Sequence, residues 1–217
     1  MVSPRDVAGF HAAYDHHRDD RIRLFGAVRD AVPGHSRVLY AGSYVDIAPS
    51  VWFDDVSYVD VDRRAGQWFG HVSEVDALIA SKREQSLPPG SSDRATWAFH
   101  HRDYREPLPI EEGSIDLLVS LYAGFISEHC TRYLRPGGFL LANDSHGDVS
   151  MAVLDPRYRL HAVVTSHGDD YQVSTDDLDA YLQPQRGTVP TRAALHATNR
   201  GIAYTKQPFA YLLQRGA

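Results

Sequence analysis

The sequence predicts an α/β fold with a mostly parallel central sheet that is flanked by helices. Two apolar runs, residues 38–40 and 115–122, lack polar alternation, which is typical of strands buried on both faces. Segments with helical periodicity separate the β-rich runs along the chain, as right-handed βαβ units require. Residues 209–213 form a last β-rich run, and we expect this strand near the C-terminus to be antiparallel.

Length and composition favour one soluble domain. The chain has 217 residues, of which 43% are hydrophobic and 23% charged, and these values are ordinary for a globular protein. The formal net charge of −6 provides no basic footprint for nucleic acid or an anionic membrane. Cys130 is the single cysteine, so no intrachain disulfide can form and a cytoplasmic location is expected. We also expect no membrane span, because no apolar run reaches about 18 residues.

Residues 4–32 predict a helical extension at the start of this single domain, which we expect to cover residues 1–217. Apolar Ile22, Phe25, Val28 and Val32 recur at steps of three and four, and charged residues supply the opposite side. The helix could pack on the sheet or act as a lid over a site. Packing is favoured, because an amphipathic stripe usually faces a core.

Residues 37–62 carry the most informative pattern, a strand, a turn of small residues and a second strand. Gly42 and Ser43 in the turn leave the backbone open to close approach. Asp60 and Asp62 stand at the exit of the second strand, where an acidic residue of a doubly wound sheet can bind ribose hydroxyls. The glycine pattern of a phosphate-binding loop is incomplete, so an ordinary β-turn-β core unit is the alternative.

The remaining periodic segments alternate between strands and helices. Together they complete the predicted βαβ order, and a dense polar loop, residues 143–148, follows the fifth strand. The predicted elements are a helix at 63–82, a strand at 96–99, a strand at 115–122, a helix at 124–134, a strand at 139–142, a strand at 159–165 and a helix near 191–198.

Three sequence stretches resemble motifs of one superfamily. VLYAGS stands at a first glycine-rich motif, YVDVD at a ribose-binding acid, and IDLLVSLY followed by YLRPGGFLLAND at a fourth and fifth strand. From about residue 36 to residue 144 the sequence resembles the class I (Rossmann-like) S-adenosylmethionine-dependent methyltransferases. The longer stretches YAGSYVDIAPS and NDSHGD are similar to a bacterial subgroup of that superfamily.

The resemblance implies S-adenosylmethionine as cofactor and assigns residues to it. Gly42, with Ser43 beside it, matches the loop that approaches the methionine and ribose parts of the ligand. Asp60 matches the acid that takes both ribose hydroxyls, and Asp103 matches the residue that reaches the adenine amine. Tyr122 lines the exit of the fourth strand, where methyl donor and acceptor would meet.

The glycine-rich loop departs from the pattern of the superfamily at several positions. Tyr40 replaces the acidic residue of the first strand, Tyr44 and Asp46 replace two glycines, and Pro49 interrupts the helix that normally follows. Asp46 could restore the lost carboxylate from a new direction, so Tyr40 and Asp46 are both counted as candidate cofactor-binding residues.

The polar loop 143–148 holds the candidate catalytic residues. His146 is the candidate general base, because histidine side chains exchange protons near neutral pH, and Asp144 or Asp148 could orient or replace it. The alternative is a polar turn whose side chains satisfy their own backbone.

We expect no metal site. His100-His101 and His16-His17 are adjacent pairs, whose side chains point apart on a helix or a strand, so neither pair forms a ready chelate.

The leading functional hypothesis is methyl transfer to a small-molecule acceptor. Two alternatives stay open on the same fold, a catalytically silent binding or interaction module and an aminopropyl-type transferase. The sequence does not decide the oligomeric state, and a homodimer is one of the open alternatives.

Overall fold

The computed structural model describes residues 18–32, 37–92, 94–168, 170–187 and 189–216. The predicted extension at 4–32 is therefore described only from residue 18 to residue 32, and its earlier part lies outside the described residues.

Within the described residues, eight strands form one sheet in the order β3-β2-β1-β4-β5-β8-β6-β7. The strands are β1 (Arg37–Ala41), β2 (Asp55–Asp60), β3 (Thr96–His101), β4 (Ile115–Ser120), β5 (Leu134–Ala142), β6 (Tyr158–His167), β7 (Asp170–Ser174) and β8 (Ala210–Arg215).

Strand directions confirm the predicted fold class. The first five strands pair in parallel, whereas β8 is antiparallel to both β5 and β6, and β7 folds back on β6. The chain order reverses between β1 and β4, which creates a topological switch point. In open α/β sheets, ligands bind outside the carboxyl ends of the strands at such a point.

Helices flank the sheet. The helices are α1 (Arg18–Ala31), α2 (Ala48–Trp52), α3 (Arg63–Phe69), α4 (Val72–Ser86), α5 (Ile126–Cys130), α6 (Asp148–Val153) and α7 (Arg192–Thr198), with a 3₁₀ turn at Leu178–Tyr181.

β1 is buried on both faces, as its apolar run predicts. Val38 and Tyr40 belong to a hydrophobic cluster with residues of α1 to α4, while Leu39 and Ala41 belong to a second cluster with residues of α5 and α6. Successive side chains of a strand point to opposite faces, so the two clusters are the two layers of the core.

The described part of the N-terminal extension packs on the core. The indole Nε1 of Trp52 donates a hydrogen bond to the carbonyl of Ile22 over 2.7 Å. A Cβ on Gly26 would lie 2.8 Å from the Trp52 ring, so the two helices approach closely at this glycine. Phe25 and Val28 are fully buried. α1 thus acts as a core helix over the residues described.

Two predicted helices have different bounds in the structure. The prediction of a single helix at 63–82 was wrong, because α3 ends at Phe69 and α4 begins at Val72. Between them the His71 N–H bonds to the Trp68 carbonyl, three residues back, instead of continuing the α-helical pattern. The helix at 124–134 ends at Cys130, because Leu134 already belongs to β5. β5 therefore begins before the predicted strand at 139–142 and contains the Arg-Pro-Gly-Gly segment that precedes it.

Pro49 also behaves differently from the prediction. It lies in the first turn of the five-residue α2, where the missing N–H removes no intrahelical hydrogen bond. Two elements were missed altogether, the short helix α6 and the edge strand β7, since neither carries a long periodic pattern.

Candidate active site

Loops after β1, β2, β4 and β5 meet at the switch point and present unusual residues there. Tyr44, Val61 and Tyr122 are large apolar side chains that stay exposed. Tyr44 has a φ of 47° and Tyr122 a φ of 57°, values that non-glycine residues rarely adopt. Strained residues cluster at ligand sites, so these features mark the edge as the candidate site.

The turn after β1 requires glycine. Gly42 has a φ of +72°, and its N–H bonds to the Val59 carbonyl over 2.8 Å. A Cβ at this position would lie 2.5 Å from the Cβ of Ala123, which follows β4. Gly42 therefore lets the loops after β1 and β4 come into contact. Its neighbour Ser43 is buried beneath the turn.

Asp60 organises the loop that surrounds it. Its Oδ2 accepts a hydrogen bond from the Tyr44 N–H and its Oδ1 accepts one from the Asp62 N–H, each over 2.7 Å. Each carboxylate oxygen can accept a further hydrogen bond, and the side chain is only half-buried. Asp60 can therefore hold the strained loop and still bind ribose hydroxyls.

Tyr40 and Asp46 form a linked pair below the turn. The Tyr40 hydroxyl donates to Asp46 Oδ2 over 3.2 Å, and the Ala48 N–H donates to Oδ1 over 2.9 Å. Burial raises the pKa of Asp46, and the positive charge of Arg21 opposes that rise. The carboxylate of Asp46 thus lies at the tip of the tyrosine that occupies the acidic position in β1.

Asp103 follows β3 at the same edge of the sheet, and its carboxylate accepts hydrogen bonds from the Arg105 guanidinium. Arg105 Nε lies 2.9 Å from Oδ1 and 2.8 Å from Oδ2, and Nη2 also bonds to Oδ2. These hydrogen bonds hold the pKa of Asp103 below its ordinary value. An adenine amine would have to share this carboxylate with the guanidinium.

The backbone of Tyr122 is fixed by the loop after β5. The Tyr122 N–H donates to Asn143 Oδ1 over 3.1 Å, and the Ser145 hydroxyl donates to the same oxygen over 3.0 Å. Asn143 is buried, and the sequence singled it out only as a member of the polar loop. It is a supporting residue for the strained Tyr122.

Asp144 lines a cavity of about 520 Å³ between the β4 and β5 exits and the segment before β8. The Ser150 N–H donates to Oδ1 over 3.1 Å, and the Ser150 hydroxyl donates to Oδ2 over 3.3 Å. Burial is the main cause that raises the pKa of Asp144 to about 7. Aromatic residues contribute much of the wall: Tyr122, Tyr204, Phe209 and Tyr211.

Asp148 and His146 belong to the same loop as Asp144, but they do not line the cavity wall. Asp148 is fully buried, and its carboxylate accepts hydrogen bonds from Ser120 Oγ over 2.5 Å and from Ser127 Oγ over 2.6 Å. Burial raises its pKa to about 6. His146 Nδ1 lies 3.0 Å from Ser145 Oγ. Among the described residues, the loop's contributions to the cavity wall are Asn143, Asp144 and Ser145.

Sequence reasoning did not identify Arg21 as a site residue. Its guanidinium lies over the Tyr122 ring, 4.9 Å from the centroid, and 5.7 Å from the centroid of Phe209. In the sequence it stands in a charged run on the polar side of the first helix, and no pattern distinguishes it from its neighbours.

His100 and His101 have different surroundings. His101 Nε2 contacts the Val61 carbonyl over 3.1 Å, while burial lowers the pKa of His100. The described residues contain no group of three His, Cys, Asp or Glu side chains that could hold a metal ion. The His16-His17 pair lies outside the described residues.

No helix in the described part of the chain has the length and apolarity needed to cross a bilayer.

Comparison with solved structures identifies the fold. A SAM-dependent methyltransferase from Thermotoga maritima, described as a possible histamine N-methyltransferase, matches with a TM-score of 0.51 at 11% identity. The match covers 98% of this chain and 97% of that chain. The chain has the class I methyltransferase fold.

Further methyltransferase structures match less closely. The complex between the Haloferax volcanii Trm112 methyltransferase activator and a protein described as a putative methyltransferase matches at 12% identity and a TM-score of 0.48, over 99% of this chain and 97% of that one. A Methanococcus maripaludis protein described as a putative S-adenosylmethionine-dependent methyltransferase matches at 15% identity and a TM-score of 0.43, over 57% of this chain and 55% of that chain. This chain thus spans about half of the Methanococcus structure.

No protein-family model matches the sequence, and no curated protein sequence matches it significantly.

Proposed function

We propose that this methyltransferase-fold protein transfers a methyl group from S-adenosylmethionine to a small-molecule acceptor. The observation that carries the proposal is Asp60, a half-buried carboxylate at the carboxyl end of β2, next to the Gly42 turn and the switch point. A carboxylate can accept two hydroxyl hydrogen bonds at once, which suits a ribose diol.

We assign the other cofactor contacts to residues at the same edge of the sheet, beyond the carboxyl ends of the strands. Gly42 and Ser43 would approach the methionine part, and the exposed side chain of Val61 offers an apolar face to adenine. Asp103 would reach the adenine amine, and Tyr122 would border the reacting methyl group. When bound, the cofactor supplies an electrophilic methyl group for in-line displacement, so the protein must mainly position the two reactants.

The acceptor would occupy the cavity that Asp144 and Tyr122 border. A pKa of about 7 leaves Asp144 partly ionised near neutral pH, which suits a general base that removes a proton from the acceptor. His146, in the same loop and in contact with Ser145, is a second candidate base. We assign Asp148 the role of holding the β4 exit and the start of α5 in place, through Ser120 and Ser127.

One observation favours a catalytically silent module as second candidate. Asp103 is engaged by Arg105, and both oxygens of Asp60 already accept backbone hydrogen bonds. If these contacts persist in solution, the edge would hold a partner or another ligand in place of the cofactor. An aminopropyl-type transferase is a weaker alternative, and it would require a decarboxylated cofactor.

The proposed setting is that of a single-domain cytoplasmic enzyme with a small-molecule substrate. The formal net charge of −6 disfavours nucleic acid and anionic membranes as partners.

Isothermal titration calorimetry with S-adenosylmethionine and with S-adenosylhomocysteine tests the proposal. We expect saturable binding of both ligands, with the tighter binding for the product if turnover is slow. Absence of a heat signal for both at several temperatures, with thermal shift also unchanged, would overturn the cofactor assignment. Binding without methyl transfer to any member of a broad amine, hydroxyl and carboxylate panel would favour the silent module.

A further inference from the structure

Arg21 is a charged residue at the border between the proposed cofactor site and the acceptor cavity. Its guanidinium lies 4.9 Å from the ring centroid of Tyr122 and 5.7 Å from that of Phe209. Both rings line the cavity of about 520 Å³. The charge is therefore held against the cavity wall by two aromatic faces, an arrangement that a planar guanidinium favours.

One nitrogen of this guanidinium has no hydrogen-bond acceptor. Arg21 Nη1 is buried and finds no partner among the described residues. His100 Nε2 and Arg132 Nε are also buried without a partner. Arg21 differs from them because its guanidinium lies against two rings of the cavity wall, whereas that of Arg132 lies against Tyr133. Buried polar groups are nearly always satisfied in folded proteins, so an orphaned donor beside a cavity indicates a missing ligand atom.

The surroundings of Arg21 in the described part of the chain keep its guanidinium charged. Burial acts against its charge, but the nearby Tyr40 and Asp46 raise the pKa of Arg21 overall. The carboxylate of Asp46 makes its hydrogen bonds to Tyr40 and Ala48. The guanidinium is thus a permanent cation with a free donor, and a singly charged anion suits it better than a dianion, since Asp46 would repel the second charge.

We propose that Arg21 binds a carboxylate of the ligand at the switch point, with Nη1 as the donor. The proposal rests on the proposed function for its ligand. The carboxylate could belong to the amino-acid part of the cofactor or to the acceptor, because Arg21 stands between the two sites. Both the cofactor and the acceptor would offer the same group, a carboxylate, to Arg21. The two cases predict different effects of the Arg21 variants.

The cofactor source is tested with two ligands that differ in their amino-acid part. S-Adenosylhomocysteine carries the carboxylate, whereas 5′-methylthioadenosine lacks it. We compare their binding to the wild type, Arg21→Met, Arg21→Lys and the control Arg29→Met by calorimetry. Arg29 lies on the same helix, and its side chain is 48% exposed, so its replacement removes the same charge away from the cavity.

If the cofactor supplies the carboxylate, Arg21→Met weakens S-adenosylhomocysteine binding by roughly 10- to 100-fold, the usual value of a charge-assisted hydrogen bond. Binding of 5′-methylthioadenosine stays within about twofold of the wild type, and Arg21→Lys recovers part of the loss. Arg29→Met behaves as the wild type.

The acceptor source is tested with benzoate and its neutral counterpart benzamide, which are aromatic and small enough to enter the cavity of about 520 Å³. Ligand-observed NMR measures their binding to the protein with and without S-adenosylhomocysteine. If the acceptor supplies the carboxylate, the wild type prefers benzoate over benzamide. Arg21→Met removes that preference and leaves S-adenosylhomocysteine binding unchanged.

The proposal is overturned if Arg21→Met alters neither ligand pair, or if it weakens both members of each pair equally, because equal losses indicate a purely structural role. Failure of the proposed function is a separate result. In that case the wild type binds neither adenosine derivative, while the benzoate comparison still decides the role of Arg21.

Discussion

The hydroxyl of Tyr40 and the carboxylate of Asp46 are joined by a hydrogen bond of 3.2 Å between β1 and the loop before α2. The Asp46 N–H in turn bonds to the Ser43 carbonyl over 3.0 Å, which closes the loop that begins at Gly42. The hydrogen bond brings the carboxylate of the loop residue Asp46 to the tip of the Tyr40 side chain.

Tyr40→Phe tests the contribution of this pair to stability. The phenyl ring fills the same buried space, so the change removes one hydrogen bond to a charged acceptor without leaving a cavity. We expect the free energy of unfolding to fall by about 1–3 kcal/mol. Urea denaturation of the wild type, Tyr40→Phe, Asp46→Asn and the double variant measures the coupling. A coupling energy near zero would show that the contact does not stabilise the loop.

Gly42→Ala should destabilise the protein for two separable reasons. Alanine is disfavoured at a φ of +72°, which costs about 1–2 kcal/mol, and its Cβ would lie 2.5 Å from the Cβ of Ala123. Adding Ala123→Gly to Gly42→Ala removes the clash and leaves the backbone strain. We therefore expect the double variant to be more stable than Gly42→Ala, as measured by thermal unfolding. Equal stability of the two would mean that the loops do not touch.

Asp60→Ala should abolish cofactor binding under the proposed function. Loss of two charge-assisted hydrogen bonds to ribose predicts a decrease in affinity of at least about 100-fold. Calorimetry with S-adenosylhomocysteine measures it, and circular dichroism checks the fold. Asp76→Asn is the matched control, since this exposed acid accepts from Trp97 Nε1 over 2.7 Å and an asparagine oxygen can do the same. Unchanged affinity of the Asp60 variant would refute the ribose assignment.

The sheet could be predicted from sequence because its central strands are buried on both faces. The run Ile115–Ser120 in β4 leaves no alternative to a core strand, and the same holds for β1. The short elements could not be predicted. α6 is a six-residue helix that starts inside the polar loop at Asp148, and local patterns that short carry little information. The division of helix 63–82 depends on the hydrogen bonds around Gly70.

The sequence predicts that candidate residues lie at the carboxyl ends of strands, but it does not predict how their side chains are arranged in space. Gly42 and Asp60 follow from local patterns, since each stands at the end of a strand. The position of Arg21 depends on how α1 crosses the sheet, which no local pattern encodes. The different surroundings of Asp144 and Asp148 depend on tertiary contacts with Ser150, Ser120 and Ser127, so sequence reasoning assigned the same candidate role to both.

Asp148 should make stability depend on pH. Its pKa in the folded protein is about 6, above its ordinary value of 3.8. Between about pH 4 and 6 the folded state therefore binds a proton that the unfolded chain releases. The free energy of unfolding then falls as pH rises through this window, by at most about 1.4 kcal/mol per pH unit from this group. Below the window both states are protonated, and this contribution to stability is fully present.

Asp148→Asn should remove the contribution of this one group to the slope, and urea denaturation at pH 4, 5 and 6 measures the slope. Asp144, whose pKa is raised to about 7, keeps its own contribution of the same sign. Asparagine still accepts from Ser127, and the Ser120 hydroxyl can rotate to accept from the amide. Asp155→Asn is the control, because hydrogen bonds from Arg157 lower the pKa of Asp155 and its contribution changes only at more acidic pH. A variant with the wild-type slope would show that Asp148 is ionised throughout the window.

Asp144 should titrate near neutral pH in the folded protein. Burial raises its pKa to about 7, and the charge of Asp148 contributes to the rise. Carboxyl ¹³C NMR, assigned by Asp144→Asn, should show a midpoint near this value, and Asp148→Asn should lower it. A midpoint close to the ordinary value of 3.8 would exclude the proposed burial effect. If Asp144 is the general base, methyl transfer requires its ionised form, so the rate should increase as pH rises through the same midpoint.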